Sequence, residues 1–232
     1  MAIIKETELY IPIKQFLEEQ GYQVRGEVNG CDIVAVKIDE EPIIIELKKT
    51  FSLDLVLQGV NRLHLSNNVY LAIERPKKNS KRWTSIKQLC RRLGVGLVTV
   101  RFSNDQPLVD VVCSCDGVGH RTNRKLKDRL LDEFHRRSGD HNVGGSTKIP
   151  LITAYREEAL MCAMYIKETG PSKASDIRDA TKISKARNIL YDNHYRWFTN
   201  TARGIYDITP EGERALTQYV YVIQSENDNE EE

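Results

Sequence analysis

No apolar run in this 232-residue chain approaches the length of a membrane span, and Met1 to Glu6 carries no signal-peptide hydrophobic core. No membrane partner is therefore expected. The five cysteines stand at irregular spacing and give no disulfide framework, so a reducing cytoplasm is the expected location. Cys113-Ser114-Cys115 with His120 nearby lacks a second ligand pair at finger spacing, which argues against a structural zinc. Net charge is nearly absent as well: the formal value is +1 and by itself indicates no partner. That total conceals clustering, because an acidic tail from Ser225 to Glu232 offsets basic runs elsewhere.

What is present centres on Gly30-Cys31-Asp32-Ile33-Val34-Ala35-Val36 and Ile43-Ile44-Ile45-Glu46-Leu47-Lys48. Both are apolar and β-branched enough to be buried strands, and the polar Lys37–Pro42 stretch between them reads as a turn. A strand repeats every two residues, so Glu46 and Lys48 share a face while Ile45 and Leu47 take the other. An antiparallel hairpin would set Asp32 beside Glu46. Charges rarely occupy buried strands unless they are paired or hold a metal. Two carboxylates and the main-chain carbonyl after Glu46 supply the hard oxygen ligands that Mg²⁺ prefers, with Mn²⁺ able to substitute. Lys48 would orient or help deprotonate a water, or offset transition-state charge. The competing structural account is a hairpin edge whose Glu–Lys pair faces solvent.

The spacing of Asp32 and Glu46-Leu47-Lys48 resembles the PD-(D/E)XK nuclease superfamily, the restriction-endonuclease-like fold; Cys31 stands where that pattern usually has Pro. The resemblance implies an α/β fold with a mixed central sheet flanked by helices, and metal ligands at Asp32 and Glu46. It also implies a glutamate on the preceding helix. Thr7 to Gln20 reads as an amphipathic helix with Leu9, Ile13, Phe16 and Leu17 on one side, and Glu6 lies nearer that face than Glu8. Glu6 is the candidate and Glu8 the reserve; alternatively both are helix-dipole partners. A glutamine on the helix after the Lys strand is common in the superfamily, which makes Gln58, in the helical pattern Leu53 to Leu65, a further candidate.

Gln23 to Val28 and Val69 to Ile73 read as further strands. Lys77 to Arg92 is strongly basic, and its residues Lys81 and Arg82, beside Trp83, could line a phosphate groove. A strand follows at Gly94 to Val100, another at Leu108 to Val112, then a helix-prone basic stretch from about Gly119 to Arg137. Ser138 to Lys148 is rich in Gly, Asn, Asp and Ser and reads as a linker or an ordered connecting loop. Beyond it, Tyr155–Thr169, Ser172–Thr181 and Ser184–Tyr191 read as helices, followed by a β-turn at Ala202-Arg203-Gly204 and a last helix opened by Thr209-Pro210. This order resembles a winged helix-turn-helix domain, in which the second helix of the turn enters the major groove. By that analogy Lys185, Arg187 and Asn188 read or position DNA, with Arg203 at the wing tip.

Taken along the whole chain, the runs Glu6-Thr7-Glu8-Leu9-Tyr10, Gln58-Gly59-Val60, Leu89-Cys90-Arg91-Arg92-Leu93-Gly94, Gly139-Asp140-His141-Asn142, Gly144-Gly145-Ser146 and Arg203-Gly204-Ile205-Tyr206 resemble an uncharacterised bacterial family of PD-(D/E)XK-like proteins. The expected organisation is a nuclease-like domain over 1–137, a linker over 138–152, a winged helix over 153–224 and an acidic disordered tail over 225–232. The expected function is a Mg²⁺-dependent endonuclease acting on DNA, without a small-molecule cofactor. A non-catalytic DNA-binding regulator on the same scaffold is the alternative, and cleavage of structured RNA a third. Dimerisation is a further expectation, since double-strand cutters of this fold often pair two single-site subunits.

Overall fold

The structure is a computed structural model that describes residues 5–77, 81–102, 106–115, 119–146 and 150–223. The stretch expected to be an acidic tail, 225–232, lies outside the described residues, as does Lys78 of the basic run.

By its internal contacts the chain divides into two compact units, Met1–His135 with Asp140–Leu151, and Arg136–Gly139 with Ile152–Glu232. In the first, α1 (Tyr10–Glu18) precedes three strands, β1 (Gln23–Val28), β2 (Cys31–Val36) and β3 (Ile43–Lys48). Two strand–helix–strand crossovers follow, through α2 (Leu53–Arg62) to β4 (Asn68–Glu74), and through α3 (Lys81–Leu93) to β5 (Gly96–Arg101). Strand β6 (Leu108–Cys113) and helix α4 (Arg124–Arg136) complete it. The six strands form one sheet in chain order. β3, β4 and β5 run parallel, and the β1–β2, β2–β3 and β5–β6 pairs are antiparallel. This is the mixed sheet flanked by helices that the family resemblance implies.

Alternation along β3 sorts the core into two layers. Ile44 packs with Leu55 and Val56 of α2, Trp83 and Cys90 of α3, and Leu130 and Phe134 of α4. Ile45 and Leu47 pack on the other side with Leu9, Tyr10, Ile13 and Leu17. Helix α1 starts at Tyr10 rather than Thr7, because Glu6–Leu9 form a 3₁₀ turn and Pro12 then falls within the first α-helical turn, where its missing N–H is tolerated. The β1–β2 connection is Asn29-Gly30, both with positive φ (49° and 75°), the two-residue turn whose twist suits a tight hairpin. It fixes the register that delivers Asp32.

The second unit contains α5 (Ala154–Thr169), β7 (Ser172–Lys173), α6 (Ala174–Thr181), α7 (Ala186–Asp192), the hairpin β8 (Phe198–Ala202) and β9 (Ile205–Ile208), and α8 (Pro210–Gln218). Ser172 and Lys173 pair with Tyr206 and Ile205 as a short strand, so α6 opens two residues later than the sequence pattern predicts. Its core gathers Leu160, Ile166, Ile177, Ile189, Trp197 and Leu216. Thr209 caps α8 by accepting the Gly212 N–H at 3.2 Å.

Candidate active site

Strand pairing decides where the charges meet. Ile33 lies opposite Ile45 and Val34 opposite Ile44, a register that carries Asp32 opposite Glu46. Beyond Ile33 the Leu47 N–H donates to the Asp32 carboxylate at 2.7 Å, so that side chain caps the parting strands. Glu46 is fully buried. One of its oxygens accepts from the Arg62 Nε at 2.6 Å, the other, Oε2, is buried with no donor among the described residues, and the carboxyl shares a side-chain hydrogen bond with Asp32. Lys48, on the same face, donates to Glu6 at 3.3 Å, with both side chains half-buried. Four of the five candidate catalytic residues are thereby gathered at one end of the β2–β3 pair, where Lys48 and Glu6 act electrostatically on Asp32.

Both carboxyls are pushed up from the ordinary range. Glu46 rises to about 7, chiefly through burial, then through the charge of Asp32, with Arg62 opposing. Asp32 is raised by burial against the lowering effect of its Leu47 hydrogen bond. Burial disfavours ionisation of both acids, and the charge of Asp32 adds to this at Glu46, while the hydrogen bond from Glu46 favours the charged form of Asp32; a nearby cation would relieve the cost of burying the two carboxyls.

The glutamates of the first turn separate cleanly. Glu8 accepts from the Lys5 N–H at 2.7 Å and so helps cap the turn, while Glu6 reaches Lys48. Gln58 lies one helical turn before Arg62 on the same side of α2, and among the described residues its buried Oε1 has no partner. Lys81 and Arg82 are exposed on the first turn of α3. Lys185, Arg187 and Asn188 are exposed at the start of α7, and Arg203 is exposed in the β8–β9 turn, all in the second unit. Cys115 contacts the Asn68 side chain, and His120 bonds to Asn67 and Leu93.

Two participants were not singled out as site residues by the sequence pattern. Arg62 binds Glu46 and also donates to the Gly30 carbonyl, so it ties α2 to the β1–β2 turn and holds the buried acid in place. Truncating it, Arg62→Ala, is expected to cost about 2 kcal/mol and not more, because Glu46 can take up a proton once its partner is gone. Urea unfolding checks this through a lower midpoint at unchanged slope.

The second participant is the loop 140–146. The Asp140 carboxylate accepts from the Tyr10 hydroxyl at 2.6 Å and the Gly26 N–H at 2.9 Å, and pairs with Lys14. The Glu27 carboxylate accepts the Ser146 N–H at 2.9 Å from a residue held at φ 54°. Between these anchors the loop backbone lies directly on the sheet. A methyl on Gly26 would sit 2.5 Å from the Asn142 carbonyl oxygen, and one on Gly144 would overlap the Asp32 carbonyl. Gly145 lies against Glu6 and Leu47. The loop thus forms a wall beside the acidic cluster.

A mixed sheet that brings an acid on one strand against Glu-x-Lys on the next, between helices on both faces, is the arrangement of a PD-(D/E)XK-like fold. A model of the family described as "Putative PD-(D/E)XK phosphodiesterase (DUF2161)" matches residues 98–215, half of the chain, and the chain belongs to that family. The matched segment begins in β5, after Asp32, Glu46 and Lys48, so the grouping of those three rests on the geometry described above. No curated protein and no solved structure matches the chain.

The residues present fit a divalent cation. Glu46 Oε2 is a buried oxygen with no donor among the described residues, the Asp32 carboxyl faces Glu46 across the strand pair within hydrogen-bonding reach, and both are hard ligands. Among the described residues no group of three or more His, Cys, Asp or Glu side chains is gathered, so the protein would supply two carboxylates and solvent or phosphate the remainder. Among the same residues no helix is long and apolar enough to cross a membrane.

Proposed function

We propose that the protein is a metal-dependent endonuclease that hydrolyses DNA phosphodiester bonds, with Mg²⁺ as the resident ion and Mn²⁺ as a substitute. The observation that carries this reading is the pair of largely buried carboxyls, Asp32 and Glu46, set against each other across the strands with Lys48 on the same face. A divalent ion bound there would lower the pKa of a water and neutralise charge on the phosphate. Asp32 and Glu46 would hold that ion. Arg62 holds one oxygen of the Glu46 carboxylate, which leaves the second for the ion. Lys48 orients the attacking water or offsets charge on the pentavalent phosphorus, and Glu6 keeps the Lys48 amine in place. The water oxygen bonds to phosphorus, the bond to the 3′-oxygen breaks, and a proton ends on that oxygen. The products are a 5′-phosphate and a 3′-hydroxyl.

The second unit supports a DNA-binding role. The α6–α7 pair, the β8–β9 hairpin and α8 fit a winged helix, with Lys185, Arg187 and Asn188 on the groove-facing helix and Arg203 at the wing tip. Plasmid incubated with Mg²⁺ or Mn²⁺ is expected to be cut, and Lys48→Ala to slow cutting about a hundredfold. Cutting that survives the substitution would sink the assignment. DNA retarded in a gel but uncut under every metal would favour a non-catalytic regulator working through α7 and the wing.

A further inference from the structure

Immediately past Lys48 the chain enters a second feature, which the triad does not use. Lys49, Thr50 and Phe51 line one side of a cavity of about 480 Å³, a size typical of small-ligand clefts. The carboxyl end of β4 and the first turns of α3 line the rest. Parallel strands place such crevices beyond their carboxyl ends, with the following helices forming the walls.

The lining is divided by chemistry. Phe51, Ile73, Trp83 and Ile86 make an apolar wall. Lys49, Arg75, Lys77 and Arg82 supply four cations against the single carboxylate of Glu74. The Arg75 guanidinium lies over the Trp83 ring, 5.3 Å from its centroid, and reaches Thr99 at 3.5 Å, so this cation is held against the wall. Cations alone would bind any phosphate. Cations around an apolar slot select a phosphate that carries a flat, weakly polar group, which is a nucleotide.

Position narrows the source. Ile73 packs in the same core layer as Ile44, the layer on the Glu46 and Lys48 face of β3. Phe51 follows Lys48 by three residues, so their Cα atoms are no more than about 11 Å apart. A base inside a duplex is stacked and paired and cannot enter a cavity of this kind until it is extruded. Resting on the nuclease reading above, we propose that the cavity takes one unpaired nucleotide of the strand being cut, its base against Phe51 and its phosphate on the Lys49–Arg82 rim. The preferred substrate is accordingly a single strand, or a duplex with an unpaired stretch at the scissile bond.

Equilibrium dialysis of the full chain in EDTA, with deoxyadenosine 5′-monophosphate as probe, tests the site without any cleavage. The nucleotide is expected to bind at least about tenfold more tightly than deoxyadenosine or inorganic phosphate. Phe51→Ala should weaken it by about fivefold to a hundredfold, and the exposed substitution Arg82→Glu should weaken it without touching the core. Equal binding of phosphate and nucleotide, or affinity indifferent to both substitutions, overturns the proposal. With Mg²⁺ added, single-stranded DNA should be cut faster than blunt duplex, and Phe51→Ala should erase the difference. Nucleotide binding with equal cutting of both substrates overturns the strand assignment and identifies a site for free nucleotide. Nucleotide binding with no cutting of any DNA removes the nuclease reading and the strand assignment together, and leaves the nucleotide site standing.

Discussion

Glu46→Gln is expected to reduce metal-dependent DNA cleavage about a thousandfold and, in EDTA at about pH 8, to make the protein more stable than the wild type. Both effects come from one buried carboxyl whose folded-state pKa is raised from 4.5 to about 7 by burial and by Asp32. The sign follows from where the proton sits. Below about pH 4.5 the folded and unfolded chains both carry it, and no penalty arises. As pH rises toward 7 the unfolded chain ionises first, so stability falls; above 7 the folded state bears the whole penalty, up to about 3 kcal/mol. Glutamine keeps an acceptor for Arg62 and carries no charge, so the variant should gain little at about pH 5 and most at about pH 8. Mg²⁺ should raise the melting midpoint of the wild type and leave the variant where it is. A variant that melts at or below the wild type in EDTA at about pH 8 would show that Glu46 is held mainly as the partner of Arg62 and not for a cation.

Gly144→Ala carries the second large effect. The added methyl meets the main-chain oxygen of Asp32 and the ring of Tyr10. A carbonyl built into a strand cannot turn aside as the tip of a long side chain can, so the loop must lift. Overpacking of this kind costs about 2 kcal/mol. That corresponds to a fall of several degrees in the melting midpoint of the first unit. Lifting also withdraws the wall beside Glu6, so cleavage should fall more steeply than stability. Differential scanning calorimetry checks this against Gly119→Ala as the control. An added methyl there meets nothing within 4 Å among the described residues, so the pair separates steric conflict from a general effect of losing glycine. Equal midpoints for Gly144→Ala and Gly119→Ala would remove the close contact from the account.

The parts of this site that could be read from sequence are those governed by short-range rules. Alternation in Ile43–Lys48 assigns Glu46 and Lys48 to one face, and a hairpin with Asp32 needs only a turn of the right length. The same local patterning yields the strands of the sheet and the amphipathic α1. What stayed hidden depends on residues far apart in the chain. Arg62 looks like one more solvated cation on a helix until α2 is laid across β3 and its guanidinium meets Glu46. Asp140 sits in a Gly-, Asn- and Ser-rich stretch whose composition suits a connection between domains, yet its carboxylate receives the Tyr10 hydroxyl and the Gly26 amide. Gly26 and Gly144 owe their identity to a backbone crossing that no periodicity encodes. The basic run from Lys77 to Arg92 is visible as charge, but only the fold turns Arg75 onto Trp83 and sets both beside Phe51.

The seam between Tyr10 and Asp140 joins residues 130 positions apart. Closing so long a span is costly in chain entropy and is rewarded only after the sheet exists to receive it. On the ribosome, the strands bearing Asp32 and Glu46 are made long before the segment that flanks them. A nascent chain therefore holds its acids without their enclosure until Ser146 has been added, and any fragment that stops short of that residue would carry the acids in the open.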